Sequence, residues 1–579
     1  MDSGISLRWR RVGFAFLVAC SSLALLALMA AVLFVDGIDP LGCAMLVLFA
    51  LTLPWTTVGF WNAAIGFFLM TFARDPAALV APFKRRLHNC DPIVSSTALL
   101  ICIRNEDASR LRRNLEWMLD KLVASGESRG FHLYILSDSD QLERIAQEQQ
   151  VAAAMAEKFG AALAIAYRRR DNASGFKAGN IRDFCERWGQ QHEFAIVLDA
   201  DSVMTADAML RLVRAMQAEP QIGILQTLVT GLPSASPFAR VFQFGMRLGM
   251  RSYTLGAASW QGDCGPYWGH NAILRLAPFI EHCELPLLPE KHPLGTHVLS
   301  HDQLEAVLMR RAGYEVRVLP DEEGSWEENP PTLLEFIRRD LRWCQGNMQY
   351  FHFLRMPGLL PVSRCQLGLA IAMYLGSPAW LTFMLLGLIR NQPIRADLGL
   401  LLLSVTLVMS LAPKLATLVD VLLRSRLRRA YGGPLRLFVS AAMEFVFSML
   451  VGPISAVAVS IFLLGLPFGR QIGWTSQQRD AEGVPIIAAA AKLWPQTVFG
   501  IALGACFWQV APDAWWLWGP FTLGLAAAIP IAVATAHPRF GQLLAAAGIC
   551  RIPEEAQRDT KPEVTAVMFS PFVSATPAE

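Results

Sequence analysis

Two aspartates separated by one alanine, Asp199 and Asp201, follow directly on the apolar run 194–198. Such a run is typical of a buried β-strand, which would carry both carboxylates to the edge of a sheet. At this spacing one carboxylate can face a nucleotide, while the other binds a hard divalent cation that in turn holds a diphosphate. Most pairs of this kind are solvated strand ends, so the interpretation depends on the other polar residues of the chain.

Further polar residues occupy similar positions upstream of this pair. Glu106 and Asp138 each come shortly after a predicted strand. Lys177 and Asn180 lie in the segment Gly-Phe-Lys-Ala-Gly-Asn at the start of a predicted helix, a position that suits an anionic ligand. Because ligands of doubly wound sheets gather at the carboxyl ends of the strands, we expect these side chains to surround one site.

The elements that must position these residues are short apolar runs, which alternate with amphipathic helical patterns between about residues 73 and 360. In the helix predicted at 108–123, for example, Leu111, Leu115 and Met118 share one face. This alternation is typical of an α/β domain with a doubly wound sheet. The strands are predicted at 97–103, 131–136, 163–167 and 194–198, and the further helices at 142–158 and 206–217.

Composition places this domain next to a membrane. Of the 579 residues, 53% are hydrophobic and 17% are charged, and the mean hydropathy is positive, which is more apolar than a soluble core requires. The net charge of +3 is too small to indicate nucleic acid as a partner. The eleven cysteines include no Cys-x-x-Cys pair, so neither a zinc site nor a disulfide framework is expected.

Apolar runs on both sides of the α/β domain predict a polytopic α-helical membrane protein. The runs at 13–35 and 41–70 exceed the roughly 20 residues that span a bilayer, so residues 1–72 are expected to form a helical hairpin. Basic residues on both flanks of the hairpin place those flanks in the cytoplasm. Within 361–540, further spans are expected at 366–389, 398–423, 436–451, 454–468, 494–511 and 515–536.

The stretch 436–468 leaves two alternatives, because it could form one long tilted span or two short spans hinged at Gly452 and Pro453. Two spans give the parity that returns the basic loop 469–493 and the end of the chain to the cytoplasm. The tail 541–579 is expected to be cytoplasmic and disordered, because its composition is biased towards Pro, Glu, Thr and Ala.

The order and spacing of these motifs resemble the family 2 glycosyltransferases of the GT-A fold, and among them the membrane-embedded processive synthases related to cellulose synthase. The resemblance implies that Glu106 and Asp138 lie around the uracil of a UDP-sugar, and that the Lys177–Asn180 motif lies near the nucleotide and the donor. It also implies that Asp199 and Asp201 handle the nucleotide and a metal ion, Mg²⁺ or Mn²⁺. The α/β domain would then be a cytoplasmic GT-A domain inserted between the membrane helices.

The family's Thr-Glu-Asp motif corresponds here to Ser300-His301-Asp302, which makes Asp302 the candidate general base. An inverting transfer needs a carboxylate that removes a proton from the acceptor hydroxyl as this hydroxyl attacks the anomeric carbon. His301 departs from the family pattern, whereas the aspartate is kept. Asp302 could also simply cap the helix that follows it, and capping and catalysis could coexist there.

The family's Gln-x-x-Arg-Trp signature corresponds to Arg339-Asp340-Leu341-Arg342-Trp343. Arg342 would bind the diphosphate, because a guanidinium offers paired donors to the negative charge of the leaving group. Trp343 would form a flat platform for the acceptor sugar, although a lone tryptophan at a helix end is more often part of a core. Arg339 replaces the glutamine of the signature and is grouped with the donor-binding residues.

The loop 469–493 resembles, in location and loosely in sequence, the gating loop that covers the donor site in cellulose synthases. On that basis Thr475 and Arg479 are candidates for contact with the donor. The alternative interpretation is an ordinary amphipathic connection at the membrane interface.

Longer strings narrow the resemblance to the glucans biosynthesis glucosyltransferase H family, whose members make the backbone of osmoregulated periplasmic glucans. These strings are 260–271, 300–302 and 338–347. The resemblance implies UDP-glucose as donor and the growing glucan as acceptor, with a β-linked product, typically β-1,2, that is passed through the membrane helices. It also implies the bacterial inner membrane as location, cytoplasmic termini, and an acyl carrier protein and a periplasmic glucan-processing protein as partners.

Two alternatives to this function stay open at the level of sequence. The chain could be a related synthase that uses another UDP-sugar or makes another linkage, as cellulose and hyaluronan synthases do. It could also be a transporter whose cytoplasmic domain binds a nucleotide-sugar without catalysis.

Overall fold

The computed structural model describes residues 6–86, 91–289, 293–473, 479 and 482–557. The helices are α1 Leu7–Leu33, α2 Pro40–Phe72, α3 Pro76–Val80, α4 Ala108–Ala124, α5 Leu142–Phe159, α6 Phe176–Trp188, α7 Ala206–Ala218, α8 Pro237–Gln261, α9 Leu276–His282, α10 His301–Arg311, α11 Leu333–Gln349, α12 Pro361–Ile389, α13 Ala396–Leu423, α14 Ser425–Ala430, α15 Pro434–Gly465, α16 Ile486–Val510, α17 Trp515–Ala526, α18 Ala528–Ala536, α19 Pro538–Ala547 and α20 Pro553–Gln557. The strands are β1 Thr97–Ile103, β2 Phe131–Ser137, β3 Ala164–Arg169, β4 Phe194–Asp199, β5 Val203–Met204, β6 Ile222–Thr227, β7 Thr230–Gly231, β8 Ala272–Arg275, β9 Glu315–Leu319 and β10 Ser325–Glu327.

The α/β domain is built on a seven-stranded sheet with the strand order β3-β2-β1-β4-β8-β6-β9. β8 runs antiparallel to its neighbours β4 and β6, whereas the other pairs are parallel. The central strands are apolar and buried, as expected for strands covered by helices on both faces. The register places Cys102 of β1 beside Asp199 of β4. A smaller sheet of order β5-β10-β7 lies next to this end, since β5 begins at Val203.

The strands and helices predicted for the α/β domain are confirmed, and their ends agree within two residues. The agreement follows from clear apolar periodicity. In α4, for example, Leu111, Leu115 and Met118 are all buried on the face that was predicted.

Six helices of the described chain are long and apolar enough to cross a membrane, namely α1, α2, α12, α13, α15 and α16. One further candidate is the pair of α17 and α18, which is bent by 66°. The sequence predicted eight spans, so the structure has fewer than expected.

α15 accounts for this difference, because it is one continuous helix that does not break at Gly452 and Pro453. The prediction of two short spans is therefore wrong. A proline removes one backbone hydrogen bond, which a helix tolerates when it packs among other helices. Accordingly, α2, α12, α13 and α16 also contain an internal proline. α16 begins at Ile486, so the connection after α15 is shorter than the predicted loop 469–493.

Both halves of α15 pack against the α/β domain. In its first half, the ring of Phe447 lies 5.3 Å from the ring of Phe238 in α8. In its last turns, Phe462 is buried in a core that includes residues of β1, β2 and β4. Directly after the helix, the N–H of Ile472 donates a hydrogen bond of 2.8 Å to Oε1 of Gln345 in α11. α15 therefore runs along the α/β domain instead of leading away from it.

The end of the chain is helical in part, contrary to the expected disordered tail 541–579. α19 extends into this stretch, and α20 lies within it. Glu554 of α20 is 3% exposed and accepts hydrogen bonds from Arg247 of α8 at 2.5 Å and from the indole of Trp326 in β10 at 3.2 Å. These buried polar contacts fix the segment, and compositional bias could not reveal them. The remainder of the tail, after residue 557, lies outside the described residues.

α8 joins the α/β domain to the N-terminal hairpin through a close crossing with α2. A Cβ atom on Gly66 would overlap the backbone carbonyl of Ser252, and a Cβ atom on Gly256 would overlap that of Asn62. The two backbones can approach this closely because glycine has no side chain. The indole of Trp260 adds a hydrogen bond of 2.9 Å to Oδ1 of Asn62. The crossing thus fixes the domain against the membrane helices.

We expect Gly256→Ala to lower the melting temperature of the detergent-purified protein, because the new methyl group must push α8 away from α2. Overpacking of this kind typically costs about 1–3 kcal/mol. Gly249→Ala on the same helix is the matched control, since no heavy atom lies within 4 Å of its Cβ position. The control should leave the melting temperature unchanged or raise it, because alanine favours the helix. Identical melting curves for both variants would contradict the close crossing.

Candidate active site

Asp199 and Lys177 form an ion pair at the carboxyl edge of the sheet. β4 ends at Asp199, and Lys177 lies in the first turn of α6 with a side chain that is 8% exposed. Nζ of Lys177 contacts Oδ1 of Asp199. Burial opposes the charge on both groups, but the partner's charge, their hydrogen bond and other nearby charges together outweigh it, so the pKa of Lys177 is raised and the pKa of Asp199 is lowered. Both side chains are therefore charged at neutral pH.

Asp201 and Glu106 face one cation, the guanidinium of Arg479. This side chain forms an ion pair with Asp201, and its Nε lies 3.4 Å from Oε2 of Glu106. Burial raises the pKa of Glu106, and the charge of Arg479 offsets part of that rise. The structure thus brings Arg479 to the acids that the sequence indicated. Thr475, the other candidate in this loop, lies outside the described residues.

Asp138 is paired with an arginine that the sequence analysis did not single out. Arg170 donates two hydrogen bonds to its carboxylate, from Nε to Oδ1 at 2.7 Å and from Nη2 to Oδ2 at 2.6 Å. The same guanidinium donates to the carbonyls of Ser174 and Phe176 at the start of α6. Arg170 therefore ties the ends of β2 and β3 to α6. The only signal in the sequence was a run of three arginines, which does not by itself indicate a site.

Buried Glu148 of α5 holds the loop that carries Asp138. Its side chain accepts hydrogen bonds from the hydroxyls of Ser137 at 2.7 Å and Tyr167 at 3.0 Å, and from that of Ser139. Glu148 is 1% exposed. Because the two serines flank Asp138 in the chain, this carboxylate sets the direction in which Asp138 leaves the sheet.

Asn180 does not present its amide to an open site. Its Oδ1 accepts a hydrogen bond from Arg168 at 2.6 Å, and its Nδ2 donates to the carbonyl of Leu136 at 3.0 Å. Both partners belong to strands of the sheet, so the side chain fixes α6 on the sheet. This placement does not support the predicted donor contact of Asn180, and it indicates instead a role in positioning Lys177 of the same helix.

Asp302 lies in the first turn of α10, near enough to Lys177 for its charge to act on that lysine. Its Cβ lies 3.3 Å from the Cβ position of Gly269, whose φ of +81° favours glycine. The side chain is partly exposed, and within the described chain it accepts no hydrogen bond. Simple helix capping by Asp302 is therefore not supported. Its neighbour His301 is buried and pairs with Glu305 at 2.8 Å.

α11 carries the arginines and the tryptophan of the signature. The guanidinium carbon of Arg339 lies 4.7 Å from the ring centroid of Trp343. Trp343 is 44% exposed, so it does not belong to a core. Burial and the like charge of Arg339 lower the pKa of Arg342 to about 10, which leaves it charged at neutral pH. Just after α11, the hydroxyl of Tyr350 donates to the carbonyl of Ser300 at 2.7 Å and so holds the start of α10.

Two acids that the sequence analysis missed, Glu327 and Glu328, lie at the end of β10 beside the same site. Oε2 of Glu327 lies 3.4 Å from Nε2 of His270, and Oε1 of Glu328 lies 3.4 Å from Nε of Arg110. Burial raises the pKa of both acids, and the negative charge of Asp201 adds to this rise. β10 has only three residues, so no apolar run marked it in the sequence.

Asp199 and Asp201 have the chemistry of a magnesium or manganese site. Such ions prefer oxygen ligands, and Mg²⁺ is commonly held by one or two carboxylates together with substrate phosphates. In the part of the chain that the structure describes, no group of three or more His, Cys, Asp or Glu side chains is placed to hold a metal. Arg479 already puts a positive charge on Asp201. The residues therefore fit an ion that is shared with a diphosphate.

Two protein-family models match the chain. "Glycosyl transferase family group 2" matches residues 194–528, and "Glycosyl transferase family 2" matches residues 98–283. Together they cover the α/β domain and most of the helices that follow it. The chain is thus a family 2 glycosyltransferase, with a GT-A domain inserted between membrane helices.

Similar curated proteins identify a particular family within the family 2 glycosyltransferases. The glucans biosynthesis glucosyltransferase H of Xylella fastidiosa is 36% identical over 91% of this chain and 85% of its own length. The proteins of the same name from Dickeya dadantii and Pseudomonas putida are each 34% identical over 88% of this chain, but over only 62% of their own length. The chain belongs to the glucans biosynthesis glucosyltransferase H family.

Solved structures are similar at a greater distance. The mannosyltransferase PcManGT of Pyrobaculum calidifontis, solved with GDP-Man and Mn²⁺, has a TM-score of 0.36 and 15% identity, and the match covers 62% of this chain and 99% of that protein. GalNAc-T7, solved with UDP, GalNAc and Mn²⁺, has a TM-score of 0.27 and 14% identity, with coverage of 45% and 52%. Similarity at this level does not extend to details of the site.

We expect Glu148→Leu to raise the Michaelis constant for the nucleotide-sugar donor about tenfold, because buried hydroxyls around Asp138 lose their acceptor. Donor-concentration series with the purified protein measure this effect. Glu148→Gln should recover most of the affinity, since an amide oxygen still accepts hydrogen bonds. Glu143→Gln on the exposed face of α5 is the control and should behave as wild type. An unchanged Michaelis constant in Glu148→Leu would refute the positioning of Asp138 by this carboxylate.

Proposed function

We propose that this protein is a processive, inverting glucosyltransferase that polymerises glucose from UDP-glucose into a β-glucan, with the β-1,2 linkage that its family resemblance implies. The observation that carries the proposal is the placement of Asp302. Its carboxylate is partly exposed and accepts no hydrogen bond within the described chain, and it packs on Gly269 within reach of the charge of Lys177. A carboxylate in this state, beside a donor site, is suited to act as a general base.

On the donor side, different residues would bind different parts of UDP-glucose. Glu106 and Asp138 would lie around the uracil. Arg342 would face the diphosphate, where a charged guanidinium stabilises the negative charge that the leaving UDP gains. Arg479 would provide a further positive charge there. A divalent cation on Asp199 and Asp201 would act as a Lewis acid towards the diphosphate.

On the acceptor side, Trp343 would support the terminal sugar of the growing chain. Asp302 would take the proton from its attacking hydroxyl while the oxygen bonds to the anomeric carbon of glucose. The bond from that carbon to the UDP oxygen breaks, and UDP leaves from the opposite face. The configuration is inverted in one step, so the α-linked donor yields a β-linked product without a covalent intermediate.

The basic flanks of the membrane helices are the basis on which we propose that both termini and the catalytic domain are cytoplasmic. If α15 lies along the catalytic domain, the crossings are α1, α2, α12, α13, α16 and the bent pair α17 and α18. This even number returns the chain to the side where it began. We propose the bacterial inner membrane as the location and export of the glucan through these helices. An acyl carrier protein and a periplasmic glucan-processing protein are proposed as partners from family resemblance alone.

The purified protein in lipid nanodiscs should release UDP from UDP-glucose and form a glucan that is β-1,2-linked by glycosidic linkage analysis. Asp302→Asn should reduce UDP release at least a hundredfold, because loss of a general base typically costs about 10²–10⁴ in rate. UDP binding, measured by calorimetry, should be retained in this variant.

Asp207→Asn is the matched control, since Asp207 is also an acid in the first turn of a helix but is exposed on α7. It should keep wild-type turnover. Full turnover in Asp302→Asn would exclude this residue as the base, and a product with another linkage would correct the proposed polymer while leaving the enzyme class intact.

We expect Mn²⁺ to bind the protein tightly only when UDP is also present, because both aspartates are already ion-paired and the diphosphate must supply further ligands. Electron paramagnetic resonance of Mn²⁺ titrations with and without UDP measures this dependence. Asp201→Asn should abolish the UDP-dependent binding, whereas Asp207→Asn should retain it. Equally tight Mn²⁺ binding in the absence of UDP would contradict the shared site.

A further inference from the structure

Glu327 and Arg339 are oppositely charged groups of the site that do not form an ion pair. The charges of Glu327 and Arg339 act on one another, yet no carboxylate oxygen of the described chain lies within 4.0 Å of the Arg339 guanidinium. Nε of Arg339 is buried and has no hydrogen-bond partner among the described residues. On the other side, His270 at 3.4 Å is the one described ion-pair partner of Glu327. The space between Glu327 and Arg339, called the gap below, is therefore flanked by polar groups that a ligand could satisfy.

The residues that flank the gap have neighbours at the candidate base and at the exposed tryptophan. His270 directly follows Gly269, against which Asp302 packs. Arg339 lies over the ring of Trp343 at 4.7 Å. A molecule that contacts both Glu327 and Arg339 would therefore lie near the base and near the tryptophan.

The groups around the gap are suited to a neutral sugar. Adjacent hydroxyls of a sugar can donate to a carboxylate and accept from a guanidinium, since both groups bind in bidentate fashion. The apolar face of a pyranose ring can pack on an aromatic ring. A diphosphate, in contrast, would be repelled by Glu327.

We propose that Glu327 and Arg339 bind the terminal sugar of the growing glucan, and that His270 positions Glu327, so that the attacking hydroxyl is oriented towards Asp302. The inference rests on the proposed function, because it concerns the acceptor of that reaction. It also accounts for the arginine that replaces glutamine in the signature. A neutral glutamine at position 339 would leave the charge of Glu327 without its compensating neighbour.

Glu327→Gln tests the proposal, because it keeps the shape of the side chain and removes its charge. Full-length protein is incubated with UDP-glucose and Mg²⁺, and both the UDP released and the glucose incorporated into polymer are measured. Incorporation should fall about tenfold, the change expected for a lost hydrogen bond to a charged group. UDP release should fall less, because water replaces the misplaced acceptor. The Michaelis constant for UDP-glucose should stay within about twofold of wild type.

Glu323→Gln is the matched control, since Glu323 is exposed on the same segment four residues earlier. It should keep the wild-type ratio of incorporated glucose to released UDP. His270→Gln is the second variant, and it should also lower this ratio. It tests the proposal independently if Glu327→Gln fails to fold.

Two results would overturn the proposal. A higher Michaelis constant for UDP-glucose with an unchanged ratio would place Glu327 on the donor, and an unchanged ratio with an unchanged Michaelis constant would leave it without a role in binding. Failure of the proposed function is seen separately, because wild-type protein would then release no UDP from UDP-glucose.

Discussion

Acids gather at the carboxyl edge of the sheet, most of them buried, and their need for cations organises the site. An unpaired buried charge is strongly destabilising, whereas a paired one can be kept charged at neutral pH. Each of these acids is matched by a basic side chain from a different element of the chain. The structure of the site is therefore held by helices and by the connection after α15 as much as by the sheet. The pairs are Lys177–Asp199, Arg170–Asp138, Arg479–Asp201 and Arg110–Glu328.

Because these acids and bases are already paired, a bound donor and its metal ion would replace existing ion pairs with new ones. No uncompensated charge would be added to the site. A nucleotide diphosphate is negative and its metal ion is positive. The diphosphate could therefore pair with the basic side chains of the site, and the metal ion with its acids. Arg479 can leave Asp201 for a phosphate only if another cation takes its place there. Metal and nucleotide are thus expected to bind together, which follows from charge balance and requires no large movement of the sheet.

The sequence was sufficient to predict those site residues whose pattern is local in the chain. Asp199 follows an apolar strand of ordinary length, and the helix that carries Lys177 begins with a glycine-rich turn. Arg170 and Glu327 could not be predicted in the same way, because their importance arises from what they face across the fold. α15 was misassigned for a related reason. Hydropathy measures whether a helix is apolar, but not whether its apolar face meets lipid or another helix.

α11, which carries Trp343, links the site to the membrane helices and to the connection after α15. The hydroxyl of Tyr374 in α12 donates to Asp340 at 3.1 Å, and Gln345 accepts from the N–H of Ile472 at 2.8 Å. Ile472 precedes Arg479 by seven residues, so the connection after α15 contacts α11 through Ile472 and the acids Asp201 and Glu106 through Arg479. Under the proposed function, α11 would carry Trp343 beneath the acceptor sugar and would also contact, through Gln345, the connection whose Arg479 pairs with Asp201, so one helix would serve both halves of the reaction.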